Sequence, residues 1–541
     1  TDGDTPTQAL GQAPTSKPQT KAKLPALALA AIAIVALLAF IFILKPGDGQ
    51  RTAKPSAPTE EPTTSTQPET KPLDKNRIVI LPFKNIGTPG ENDHIVEGIV
   101  DDLNIMLTNV DGLKVIGSVS AKPYRNSDKS PAEIGQELNA GTLLQGSIQK
   151  SGTGLKINVR LIDTASSENI WANSFSGNET DRSKFQQEII QSIVNKTKGT
   201  ILNQSELGSL TQGDTQSAEA YNLVKEGLEL LGKGSREANR NATQLFLKAI
   251  DLDPNYVNAY SGLARCALQS PALSLNYPND ANTMAKKYSD EALKLNPSHI
   301  DSKTTRVALT LQVDRDTTKA MELTQELLKK HPNNLRVLQQ IGTILSFSSK
   351  TDLAISTLKK GLELDPKNAN LHQHLAFTYL VSGEEKLAEA HNQKALELNP
   401  NYQFALHIRS LIISEQQRYG SIEEQLLRAI EADDQNPVTV MSLGIVYWRA
   451  GKTEESYKLL AELLDRRNFE YIKGGILTRF YMAIGEKEKA FKWLKKSCDE
   501  KDFDFINMFY WPLYDSVRDD PEFIRIFKDA GVYGYLIKKE L

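Results

Sequence analysis

The sequence predicts a multidomain chain: a single transmembrane helix, a small α/β domain, and an all-α superhelix of repeated helix pairs. Three observations predict it. Residues 24–44 form an uncharged apolar run, residues 77–203 alternate strand-like and helix-like patterns, and residues from about 215 onward repeat with a period of 34.

The apolar run LPALALAAIAIVALLAFIFIL covers 21 residues, Leu24 to Leu44. At 1.5 Å per residue a helix of that length spans roughly 30 Å, the hydrocarbon thickness of a bilayer. Pro25 falls in the first turn, where a missing amide costs little, and Lys23 and Lys45 bracket the run. A cleaved signal peptide would carry a shorter core of about 7–15 residues and a small-residue cleavage site. Lys45-Pro46-Gly47-Asp48 follows instead, so the run reads as an uncleaved anchor. The flanking charges are tied: Lys17, Lys21 and Lys23 precede it, Lys45, Arg51 and Lys54 follow. Residues 1–23 and 45–76 can bury no core, which predicts a disordered N-terminal segment and an extended Pro/Thr-rich linker. The chain begins at Thr1, so either an initiator was clipped or an upstream part is missing.

In residues 77–203 the run Arg77 to Phe83 reads as a buried strand ended by Pro82. Ile95, Ile99, Leu103 and Leu107 then form a helical stripe, and Leu113 to Ile116 a second strand. Ser130 caps a helix that starts at Pro131. Leu155, Ile157, Val159 and Leu161 alternate with Lys156, Asn158 and Arg160, and Gly152 and Gly154 turn a hairpin from the strand Leu143–Lys150. Ile170 to Phe175 is a further strand and Asp181 to Leu202 a closing helix. The order β-α-β-α-β-β-β-α implies one sheet covered by helices.

With Leu81-Pro82-Phe83, Gly146-Ser147, Leu161-Ile162-Asp163 and Trp171 in that order, the segment resembles the TolB-like N-terminal domain of bacterial single-pass signalling proteins. That resemblance implies a position between a membrane helix and helical repeats. It also implies an effector beyond the membrane: a winged-helix domain, a nucleotide cyclase or a protein kinase. On the same footing it implies a cytoplasmic N-terminus, with residues 46–541 outside the inner membrane.

Units starting at 301, 335, 369, 403, 437 and 471 stay in register without a gap. Their eighth places are small (Ala308, Gly342, Ala376, Ser410, Gly444, Thr478), and their eleventh are large (Leu311, Leu345, Tyr379, Ile413, Tyr447, Tyr481). The twentieth places carry Ala320, Ala354, Ala388, Ile422, Ser456 and Ala490, and Pro332, Pro366 and Pro400 close three units. Small residues let paired helices approach, large ones fill the space between pairs, and proline stops the second helix. Two earlier units close at Pro254 and Pro297, giving eight repeats over 215–502. The pattern resembles the tetratricopeptide repeat, which implies a superhelix whose concave face is built from first helices.

Groove-facing places are the second, fifth, ninth and twelfth. They supply Arg336, Gln339, Asn370, Gln373, Phe377, Phe404, His407, Met441, Ile445 and Trp448 as candidate protein-binding residues. Amides, an arginine and aromatics suit an extended peptide or a partner's helix. Residues 503–541, dense in aromatics at Phe503 to Tyr514, read as a cap over the last repeat, with an aromatic docking patch as the alternative.

Chemistry is not signalled. Gly227 to Lys233 has phosphate-loop spacing, but Gly234 stands where Ser or Thr should ligate magnesium, and Gly451-Lys452-Thr453 lacks the earlier glycine. His372 and His374 lie on different helix faces, and Cys266 and Cys498 sit at core-type positions, so no metal and no cofactor is expected. A net charge of −3 leaves no footprint for nucleic acid. The expectation is a non-catalytic, inner-membrane-anchored interaction or sensor scaffold that binds protein or peptide partners, with oligomeric state open. The alternative is the regulatory part of an adenylate cyclase, Ser/Thr kinase or membrane-bound transcription regulator whose effector lies upstream of Thr1.

Overall fold

The computed structural model describes residues 73–87, 93–210, 214–271, 273, 275–276, 278–346, 350–412, 419–432, 435–502 and 505–537. They form a mostly helical superhelix preceded by an α/β region. The expected fold class is therefore corrected in one part. No helix among the described residues is long and apolar enough to cross a membrane, so the single-span component is not supported. The run 24–44 on which it rested lies outside the described residues, as do the segments 1–23 and 45–72.

The α/β region comprises β1 (Arg77–Ile80), β2 (Lys84–Asn85), α1 (Asp93–Thr108), β3 (Lys114–Val115), α2 (Pro131–Leu138), β4 (Thr142–Ser151), β5 (Gly154–Asp163), β6 (Asn169–Asn178) and α3 (Arg182–Lys198). The sheet runs β3-β1-β4-β5-β6, with β2 added to the far end of β4. β1 pairs parallel with both neighbours, and β4–β5–β6 form an antiparallel meander. A parallel strand must be covered on both faces. Accordingly Ile78 and Ile80 pack with α1 and α3, while Val79 and Leu81 pack with Ile134 and Leu138 of α2. Towards β6 only one face is buried, and a polar ladder occupies the other: Arg160 Nε donates to Gln145 Oε1 at 3.0 Å, and Ser174 Oγ to Asn158 Oδ1 at 2.8 Å. Ser130 and Glu133 cap α2 reciprocally, so the serine–proline start seen in the sequence has a hydrogen-bonding basis.

Helix pairs follow among the described residues, from Ala218–Lys233 with Arg236–Leu252 to Gly474–Ala483 with Lys487–Asp499. A Cβ on Gly342 would stand 2.6 Å from Leu358 of the partner helix, which is why that place stays small. The α/β region is clasped to this array. Asp102 of α1 accepts Tyr221 Oη at 2.6 Å and Gln186 Nε2 at 3.1 Å, and pairs with Lys225. Ser120 N donates to Asp365 at 3.0 Å, Gly117 N to the Leu364 carbonyl at 2.9 Å, and Asn334 Nδ2 to Asn109 at 2.7 Å. The array also meets itself. Arg236 of the first pair bridges to Glu470 ahead of the last at 2.7 Å. Arg315 donates to the carbonyls of Cys498 at 3.3 Å and Ala530 at 3.2 Å.

Candidate functional site in the concave cavity

First helices of successive pairs line a cavity of about 1000 Å³ on the inner face. Five of the ten candidate residues, Arg336, Gln339, Asn370, Phe404 and His407, lie on its wall. An amide relay runs along it: Gln339 Nε2 donates to Asn370 Oδ1 at 3.1 Å, and Asn370 Nδ2 to Tyr402 Oη at 2.8 Å. Burial pushes the Tyr402 phenol up to about 12, so it stays a neutral hydrogen-bonding group. Gln373 and Phe377 stand behind the wall, fully buried, and Gln373 Nε2 finds no acceptor among the described residues. Met441 and Ile445 are also fully buried and share an apolar cluster with Ile472 to Ile484, against which Trp448 packs. Those three support the stacking of pairs instead of facing the cavity.

The tail explains why the aromatics are covered. Residues 505–537 pack on the last pair through Phe491 and Leu494, and they also reach the inner face. The Trp511 ring lies 5.0 Å from Phe377, 5.2 Å from His407 and 6.1 Å from Phe404, with the Arg479 guanidinium 5.3 Å from it. Trp511 is thus both a capping residue and part of the cavity wall.

Several wall residues outside the candidate set are cationic. Arg265, Lys473 and Arg479 join Arg336 and Lys367, and among the described residues no carboxylate lines the cavity. Asp301 lies just beyond, in an adjoining cavity of about 250 Å³ that shares Arg265 and Arg336. Arg336 pairs with Asp301. Burial opposes the Asp301 charge, yet Arg336, Arg265 and His299 together hold its carboxyl below the usual range. Burial, with Arg336 beside it, draws Arg265 down from its ordinary value, and Asp301 offsets that only in part. A signal for Arg265 and Arg479 existed: each occupies the ninth, groove-facing place when units are started at 257 and 471. The insertion around Ser270–Asp280 hid the first register.

Residues 335–368 match the family described as tetratricopeptide repeat, and residues 74–192 match the one described as HilA/YgeH-like transcriptional regulator, second domain. The chain therefore carries tetratricopeptide repeats, while its α/β region is similar to that regulator domain; the expected TolB-like assignment is not supported. A Rhizobium meliloti (strain 1021) protein named "Putative adenylate cyclase 3" is 24% identical over 209 residues, 39% of this chain and 35% of its own length. The chain thus spans about a third of that curated relative. Among solved structures, Pseudomonas aeruginosa PilF is 19% identical with a TM-score of 0.31, covering 39% of this chain and 91% of its own. The human IFIT1 dimer with m7Gppp-AAAA is 18% identical with a TM-score of 0.36, covering 58% and 77%.

Proposed function

We propose that this chain is a protein-interaction scaffold in signal transduction that binds an extended segment of a partner in the concave cavity and performs no catalysis itself. The observation that carries the reading is the amide relay Gln339–Asn370–Tyr402 along the wall. Side-chain amides offer the paired donors and acceptors that a peptide backbone requires, and a cavity of about 1000 Å³ has room for several residues of it. The test places the photocrosslinker p-benzoylphenylalanine at Gln339 on the wall and, separately, at Leu387, which is 42% exposed on the second helix Glu385–Leu398. Irradiation in the native cell is expected to yield polypeptide adducts from position 339 and not from 387. Equal yields, or none from 339, count against the scaffold reading.

A second reading is favoured by the similarity to the protein named as a cyclase: these residues would regulate an adenylate cyclase domain elsewhere in the same polypeptide. A cyclic-AMP assay on the product of the complete coding region, with and without Arg336→Ala, distinguishes a regulator from a free-standing scaffold.

A further inference from the structure

We infer that the concave cavity selects an acidic polypeptide segment, with Arg265 as the residue that takes a carboxylate of the ligand. The inference rests on the scaffold reading and names the chemistry of its partner. Arg265 sits on the inner side of Val257–Gln269, half-buried, where both cavities open onto it. No hydrogen bond or ion pair satisfies its guanidinium among the described residues. Among the described residues the carboxylate that acts on it is Asp301, and that group is already bridged to Arg336. Two guanidiniums therefore share a single carboxylate, and one positive charge is left facing the cavity. A half-buried cation gains more from an anion than an exposed one, because less water competes for it. An Arg fork also accepts a carboxylate in two parallel hydrogen bonds.

The rest of the wall fits a peptide better than a polynucleotide. Asn370 and Gln339 supply backbone-like amide pairs, whereas successive phosphates would call for a continuous cationic track. An acidic segment needs only a local match, which Arg265 provides.

The experiment pans random dodecapeptides displayed on phage against the full chain, the Arg265→Gln and Arg265→Lys variants, and then titrates fluorescein-labelled winners. Wild type and Arg265→Lys are expected to enrich Asp and Glu. Arg265→Gln should lose that enrichment and bind the winning peptide roughly tenfold more weakly, about 1.4 kcal/mol. Circular dichroism melts verify that the variants fold, and Arg265→Lys tests the charge where the neutral variant does not fold. Neutral or basic winners that crosslink to position 339 overturn the acidic preference and leave the scaffold reading standing. Failure to select any peptide, with no adduct at 339, removes both. Tighter binding of a fluorescein-labelled dT oligomer than of any peptide, dependent on Arg265, overturns the inference in favour of nucleic acid.

Discussion

At the scale of single residues, burial decides which groups carry charge. His374 is 6% exposed, beside Ser346 Oγ at 3.3 Å and the Phe404 ring, and burial lowers its pKa from 6.5 to about 3. The folded protein therefore keeps this imidazole neutral, while the unfolded chain protonates it near 6.5. Stability from this group is fully present above pH 6.5 and is lost as pH falls towards 3, because only the unfolded state binds the proton in that window. Between pH 7 and pH 5 the loss should be roughly 2 kcal/mol. His391, held down to about 4 by burial and by His372 and Lys359, acts in the same direction. Asp365, raised by burial against the hydrogen bonds of Ser120 and Asn368, acts in the opposite one. Both persist in a His374→Gln variant, so the difference between the two proteins isolates His374. Urea midpoints at pH 7 and pH 5 should fall less in the variant, and parallel shifts would show that the imidazole is not buried uncharged.

At the scale of elements, the 34-residue phase is a packing rule, and packing rules can be read from sequence because they recur. Gly342 is small because Leu358 of its partner helix leaves no space, and Gly444 because the Phe480 ring covers it. Gly342→Val should cost about 1–3 kcal/mol by forcing the two helices apart. Leu358→Ala in the same chain should recover part of that cost, since the methyl groups of valine then enter the space the leucine leaves. A double-mutant cycle measures the coupling, and strict additivity would mean that Gly342 does not set the approach of the helices. The elements that do not recur were harder to read. Asn334 and Asp365 look in sequence like ordinary inter-repeat turns beside Pro332 and Pro366, yet they bind Asn109 and Ser120 of the α/β region. Phe377 and His407 fit the groove-facing register, but Trp511 covers them from more than a hundred residues away in sequence. Period and patterning specify neighbours in the array; they carry no information about what the tail or the α/β region will touch. The short β2 was missed for the same reason, since Lys84–Asn85 is held only by pairing with β4.

At the scale of the whole array, closure changes how stability is distributed. An open solenoid gains stability from nearest neighbours alone, so its terminal repeats open first and independently. Here Arg236, at the start of the second helix of the first pair, reaches Glu470 just ahead of the last pair, with the arginine side chain only 8% exposed. Arg466 holds the same carboxylate at 2.6 Å. Burial works against the Glu470 charge, but the hydrogen bonds from Arg466 and Arg236 outweigh it and keep the carboxyl below its usual range. Removing one arginine from such a shared carboxylate costs the cross-array link without leaving the glutamate unpaired. Arg236→Ala should therefore lower hydrogen-exchange protection in two places at once, in Arg236–Leu252 and in Gly474–Ala483, although these lie more than two hundred residues apart in sequence. Loss of one charged hydrogen bond of about 1.5–3 kcal/mol corresponds to roughly a tenfold to hundredfold faster exchange through sub-global opening. The urea transition should broaden as the first pair begins to open apart from the rest. Faster exchange confined to the first pair, with Gly474–Ala483 unchanged, would mean that the ends touch without stabilising each other, and the array would then behave as an ordinary open solenoid.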